Sequence, residues 1–218
     1  MIEVELLSVN VAQPEVIGER DGEPVISAIG KRPVTAGVLQ LGPTNLEGDR
    51  QADRRSHGGP DKAVYAYASE HHAAWSAELG RHVGPAFFGE NLTTAGWLES
   101  DVAIGDLWSW GDALLQVVQP RWPCFKLTLR SGVPDMAKRF RGSGRTGWYL
   151  RVLYPGEVPV AGPITVAQRD PAGVTVLDAH RAARRDASDD EVERVLDVPA
   201  LAAEWRWVLH PERRRSRA

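Results

Sequence analysis

The chain has 218 residues, 43% hydrophobic and 25% charged, with a formal net charge of −3 and a single cysteine. That balance suits an ordinary globular protein with ample core material; it offers no basic excess to draw nucleic acid or a membrane surface, and no apolar run reaches the ~20 residues of a membrane span. One cysteine excludes internal disulfides, four-cysteine iron–sulfur clusters and zinc sites built from thiolates alone, and with no secretory pattern in residues 1–10 it predicts a cytoplasmic protein.

Taken in chain order, residues 4–13, 33–41, 62–68, 106–110, 113–119 and 147–154 are rich in β-branched or aromatic residues and bounded by turn signals, which predicts strands. Gly111-Asp112 between two of them reads as a tight hairpin. Helices are expected at 69–79 and 134–140. Many strands without regular βαβ alternation predict a barrel or sandwich rather than a doubly wound sheet. Beyond about Asp170 the period turns helical, at 175–185, 188–197 and 199–209, with a capping box at Ser188 and Glu191 and Pro199 suited to a first helical turn. Residues 1–170 are therefore expected to form the β domain, and 171–218 a three-helix subdomain with a basic tail. A helix-turn-helix DNA binder is disfavoured, because the arginines lie past the last helix of an acidic chain.

The segment GSGRTG at 142–147 matches G-x-G-x-x-G, but a helix is expected before it and a strand after it. A dinucleotide fingerprint needs the reverse, so a flexible glycine loop is expected, from which Arg145 can still face a ligand. In LEGDRQADRRSHGGPDKAVYAY, His57, Gly58, Gly59 and Lys62 form a loop whose backbone amides and ammonium suit an anion; a polar turn between strands fits the same spacing. Gly89, Glu90 and Asn91 form a second such turn, with Asn91 suited either to a heteroaromatic ring edge or to its own backbone. Cys124 stands after Pro120 and Pro123 with Arg121 and Lys126 close by, in a stretch that serves a core thiol, a nucleophile or a soft-metal ligand.

These loops, with FGENLTT, VAIGDLWSWGDALLQVVQPRWPCFKL and GRTGWYLRVLYPGEV, resemble the MOSC domain from about Ser27 to Val166, and within it the stand-alone bacterial YiiM-type branch, whose small 3-alpha appendage the last three helices resemble. The resemblance implies a mainly β fold, a MOSC-type β-barrel with a few short helices and a small C-terminal three-helix subdomain. It implies the molybdenum cofactor as ligand, with Cys124 as metal ligand and catalytic residue. Ser27, Lys31, His57, Gly58, Gly59, Lys62, Gly89, Glu90, Asn91, Arg121, Lys126 and Arg151 are then the cofactor-binding set. For Arg151 the alternative is a rim ion pair. Trp122 departs from the smaller residue often found there and puts substrate choice in doubt.

The implied activity is reduction of N-hydroxylated compounds at a molybdenum centre, with electrons from a separate reductase, since the sequence offers no flavin, nicotinamide or iron–sulfur site. Two other readings remain: a non-enzymatic carrier of the cofactor, and a cysteine hydrolase using Cys124 and His57. No cofactor residue lies beyond Arg151, so the barrel is expected to hold the ligand alone. The terminal helices, with Trp205 and Trp207, are then left to cover the barrel or meet a partner.

Overall fold

Alternation along β1 (Ile2–Val11) sets the inside of the molecule: Val4 and Leu6 are buried between exposed Glu3, Glu5 and Leu7. A bulge between Leu6 and Ser8 then shifts the phase, so that Val9 and Asn10 become the buried pair. The computed structural model describes residues 2–35, 37–52 and 58–210. After β1 come β2 (Glu15–Arg20), β3 (Glu23–Ser27), β4 (Arg32–Pro33), β5 (Val38–Leu41), β6 (Val64–Ala68) and β7 (Leu92–Ala95). They are followed by β8 (Leu107–Trp110), β9 (Ala113–Pro120), β10 (Trp148–Tyr154), β11 (Gly156–Pro159) and β12 (Gly162–Gln168). The helices are α1 (His71–Leu79), α2 (Phe125–Ser131), α3 (Met136–Ser143), α4 (Val176–Arg184), α5 (Asp189–Asp197) and α6 (Ala203–Leu209).

Seven strands close a barrel in the order β1, β12, β8, β9, β10, β6, β7 and back to β1. Closure leaves no open edge around the ring. The pair β6 and β7 is parallel, as its α1 crossover requires, and the other pairings are antiparallel. The hairpin of β2 and β3 and the ribbon of β5 and β11 stand outside the ring. The expected strand at 33–41 is two separate pieces, β4 beside β1 and β5 beside β11. The hairpin at Gly111-Asp112 forms as expected. The β2–β3 hairpin turns on Asp21 and Gly22, both at positive φ, an Asp-Gly signal that the sequence carried in plain view.

Trp108, Trp110, Trp148, Leu115 and Val117 fill the barrel, and the same core continues into the terminal helices through Val176, Ala179, Val195, Trp205 and Leu209. Thr175 with Asp178, and Ser188 with Glu191, form capping boxes on α4 and α5. Pro199 does not open α6, which starts at Ala203; the Ala202 amide instead donates to the Val118 carbonyl of β9 at 3.0 Å. A second core, Tyr67, Trp75, Phe88 and Phe140 among others, lies between β6 and α1–α3. The glycine segment 142–147 joins α3 to β10, and Arg145 is held by Glu78 at 2.5 Å and lies over Trp75 rather than facing a ligand. No helix of the described residues is long and apolar enough to cross a membrane.

Candidate functional site: a cationic cleft around Cys124

Proline decides where Cys124 sits. Pro120 closes β9, and Pro123 holds the chain extended, so the strand cannot run on and Cys124 becomes the residue that enters α2, with φ −124° and ψ 177°. The Leu127 amide donates to the Cys124 carbonyl at 3.1 Å. Cys124 is half-buried in the lining of an open cleft of about 720 Å³, counting its mouth.

The charge of that wall is its clearest property. Among the described residues, Lys31, Arg50, Lys62, Arg121 and Lys126 line it, five cations against the one carboxylate of Asp49, on a chain whose net charge is −3. Such a concentration of one sign in a partly enclosed cleft attracts anions. Arg121 is buried; its Nη1 donates to the Tyr65 hydroxyl at 3.4 Å, and its guanidinium lies over the rings of Tyr65 and Phe140 at 4.8 and 5.2 Å. Burial works against its charge, but Tyr65, Tyr149 and Cys124 more than offset that and hold its pKa above the ordinary value. Burial pushes the phenols of Tyr65 and Tyr149 upward, so both line the cleft as neutral groups.

Asp49 organises another part of the lining. Its Oδ1 accepts from the Ala12 amide at 2.9 Å and from Lys31 Nζ at 2.5 Å, and its Oδ2 accepts from Asn91 Nδ2 at 2.9 Å. Burial lowers the Lys31 pKa, with Asp49 and Glu90 pulling it back up. Asn91 is fully engaged: Nδ2 also donates to the Asn10 carbonyl at 3.2 Å, and Oδ1 accepts from the Tyr65 amide at 3.1 Å. It ties three segments together instead of reading a ring edge.

Eight of the expected residues meet in the cleft: Ser27, Lys31, Lys62, Gly89, Asn91, Arg121, Cys124 and Lys126. Others stand elsewhere. Glu90 is wholly buried, where its carboxylate accepts from the Ala86 and Phe88 amides at 2.7 and 3.0 Å and from Thr93 at 3.2 Å; it shapes the turn and does not line the cleft. Arg151 takes the rim ion pair, with Asp61 at 2.7 Å, because Asp61 lies beside β10 in the 3-10 turn Pro60–Lys62. Gly58 and Gly59 do not line the cleft, and the Gly59 amide donates to Gln51 Oε1 at 3.2 Å, so it is not part of an anion nest. His57 lies outside the described residues. Asp49, Arg50, Tyr65 and Tyr149 were not anticipated as site residues.

The donor set fits a metal that brings most of its own ligands. Among the described residues no group of three or more His, Cys, Asp and Glu side chains gathers to hold an ion, while one soft sulfur and several cations share the cleft. A dithiolene-held metal with an anionic tail matches that set.

The fold is a closed barrel, and its cleft carries the chain's single thiol among cationic side chains. The chain belongs to the MOSC domain family, which matches it over residues 53–165 and is associated with the molybdenum cofactor. It is 39% identical to Protein YiiM of Escherichia coli over 198 residues, 88% of this chain and 86% of that one. The crystal structure of YiiM from Geobacillus stearothermophilus is similar with a TM-score of 0.80 at 30% identity, covering 96% of this chain and 99% of that one. A protein named "Reductase" from Gibberella moniliformis is 36% identical over 169 residues, 75% of this chain but 29% of its own length.

Proposed function

We propose that the cleft binds the molybdenum cofactor and that the protein reduces N-hydroxylated compounds with electrons from a separate reductase. The observation that carries this reading is Cys124 lining the same cleft as Lys31, Lys62, Arg121 and Lys126. When bound, the cofactor supplies two-electron chemistry that removes oxygen from nitrogen, so that R–NHOH with two electrons and two protons gives R–NH2 and water. Cys124 is the soft protein ligand of the metal. The lysines and Arg121 hold the anionic end by charge-assisted hydrogen bonds, and Arg121 is fixed between rings so that little freedom is lost on binding. Tyr65 and Tyr149 stay neutral and add no repulsion toward an anion. Trp122, at the lip and 38% exposed, borders the space left for substrate. The name of the fungal relative supports a reductive role. Among the described residues no histidine lines the cleft, and His57, the base that a cysteine hydrolase would use, lies outside them.

Cofactor-loaded protein with a dithionite-reduced dye is expected to convert a hydroxylamine-type compound to its amine, with the product measured by chromatography. Loaded protein that gives no amine above the dye alone, while retaining molybdenum, removes the reductase reading and leaves a cofactor carrier.

A further inference from the structure

Lys62 belongs to two structures at once. It lines the cleft, and its ammonium lies 2.5 Å from Oε2 of Glu204 in α6. The lysine side chain is 14% exposed and the glutamate 54%, so the carboxylate sits on the solvent side of the ammonium. Both charges act on Tyr149, whose ring lines the cleft. Glu204 is also firmly placed. Two residues before it, the Ala202 amide is bonded to Val118 of β9, and next to it Trp205 packs on Trp122 in the cleft wall.

A carboxylate anchored against a ligand-facing ammonium is an internal counter-ion, and any anion arriving at Lys62 displaces it or shares the lysine with it. We propose that Glu204, contributed by the C-terminal helices, sets the anion affinity and selectivity of the Lys62 end of the cleft. A monoanion that replaces one carboxylate by another gains no charge attraction there. A dianion such as a phosphate monoester gains one unit, so the arrangement selects dianionic groups. This rests on the reading of the cleft as an anion site and not on the identity of the ligand.

Calorimetry with inorganic phosphate at pH 8 and low ionic strength tests it in the full chain. Glu204→Gln is expected to bind phosphate about 1.5- to fivefold more tightly than the native protein, the range that an exposed ion pair spans. The gain should vanish when Lys62→Gln is also present, and Glu204→Asp, which keeps the charge, should bind like the native protein. Circular dichroism and melting curves establish that each variant is folded. Native-like or weaker binding by Glu204→Gln, with the native protein still binding phosphate, overturns the proposal and leaves the anion site standing. Absence of phosphate binding in every variant overturns both.

Discussion

Trp122 and Trp205 meet edge to face, ring centroids 5.9 Å apart and planes at 80°, so the residue two positions before Cys124 is braced by the last helix of the chain. His180 of α4 supports the same indole at 5.8 Å. The terminal helices therefore reach the cleft even though no expected cofactor ligand lies on them. Trp205→Ala is expected to cost about 3–5 kcal/mol of stability, as buried tryptophan truncations do, measured by urea unfolding. A chain ending at Arg169 also loses the bonds from the Ile104 amide to the Val174 carbonyl and from the Val176 amide to the Val102 carbonyl, and is expected to lose cooperative unfolding. A sharp native-like transition in that truncation would instead support a self-sufficient barrel.

Lys62 and Arg151 separate the cleft from its rim. Lys62→Ala is expected to weaken anion binding by about 1.5–3 kcal/mol, the range of a hydrogen bond to a charged group. Arg151→Ala loses the partly exposed pair with Asp61, worth at most about 1 kcal/mol of stability, and leaves binding unchanged. Equal losses of phosphate affinity in the two variants would place Arg151 in the site after all.

Lys31 gives a pH signature. Because burial lowers its pKa in the folded protein, the unfolded chain holds that proton more tightly. The native state then gains stability relative to Lys31→Met as pH climbs from the lowered value toward the ordinary 10.5, and the difference is constant above it. Denaturant unfolding of both proteins between neutral and strongly alkaline pH reads the slope. No rise below pH 10.5 and a fall above it would mean that Asp49 outweighs burial and holds the lysine above its ordinary value.

Gly89 stands at φ +80° with Ile29 so close that an added Cβ would lie 2.6 Å from its Cγ1 and 3.1 Å from its carbonyl oxygen. The turn brings Ile29 and Gly89 together in the cleft wall. Gly89→Ala is expected to cost at least about 1–2 kcal/mol from the left-handed backbone alone, seen as a lower melting temperature, and to displace the segment leading to Lys31.

What the sequence made legible was local. The Gly111-Asp112 hairpin, the Ser188–Glu191 capping box and the helical period after Asp170 each depend on residues a few positions apart. Cys124 was legible because prolines and cations surround it in sequence as well as in space. Asp49 was not: its partners are residues 12, 31 and 91, brought together only when β1, the segment after β3 and the turn before β7 assemble. The choice between the two readings of Arg151 was not legible for the same reason, since its partner Asp61 is 90 residues away. Glu90 and Asn91 have the residue types of a ligand site, but burial commits their polar atoms to the backbone and to Thr93 and Asp49. Lys62 was expected in the site, yet its neighbour Glu204 lies in a helix that no pattern near Lys62 announces.

Molybdenum and pterin content, measured together on protein purified from a host that makes the cofactor, tests the central claim most directly. The native protein is expected to carry both in equal amounts approaching one per chain, and Cys124→Ser, in which a hydroxyl replaces the soft sulfur, to lose most of the metal while remaining folded. Native protein with neither, or a Cys124→Ser variant with native molybdenum and pterin content, would contradict the assignment of the cleft and its thiol.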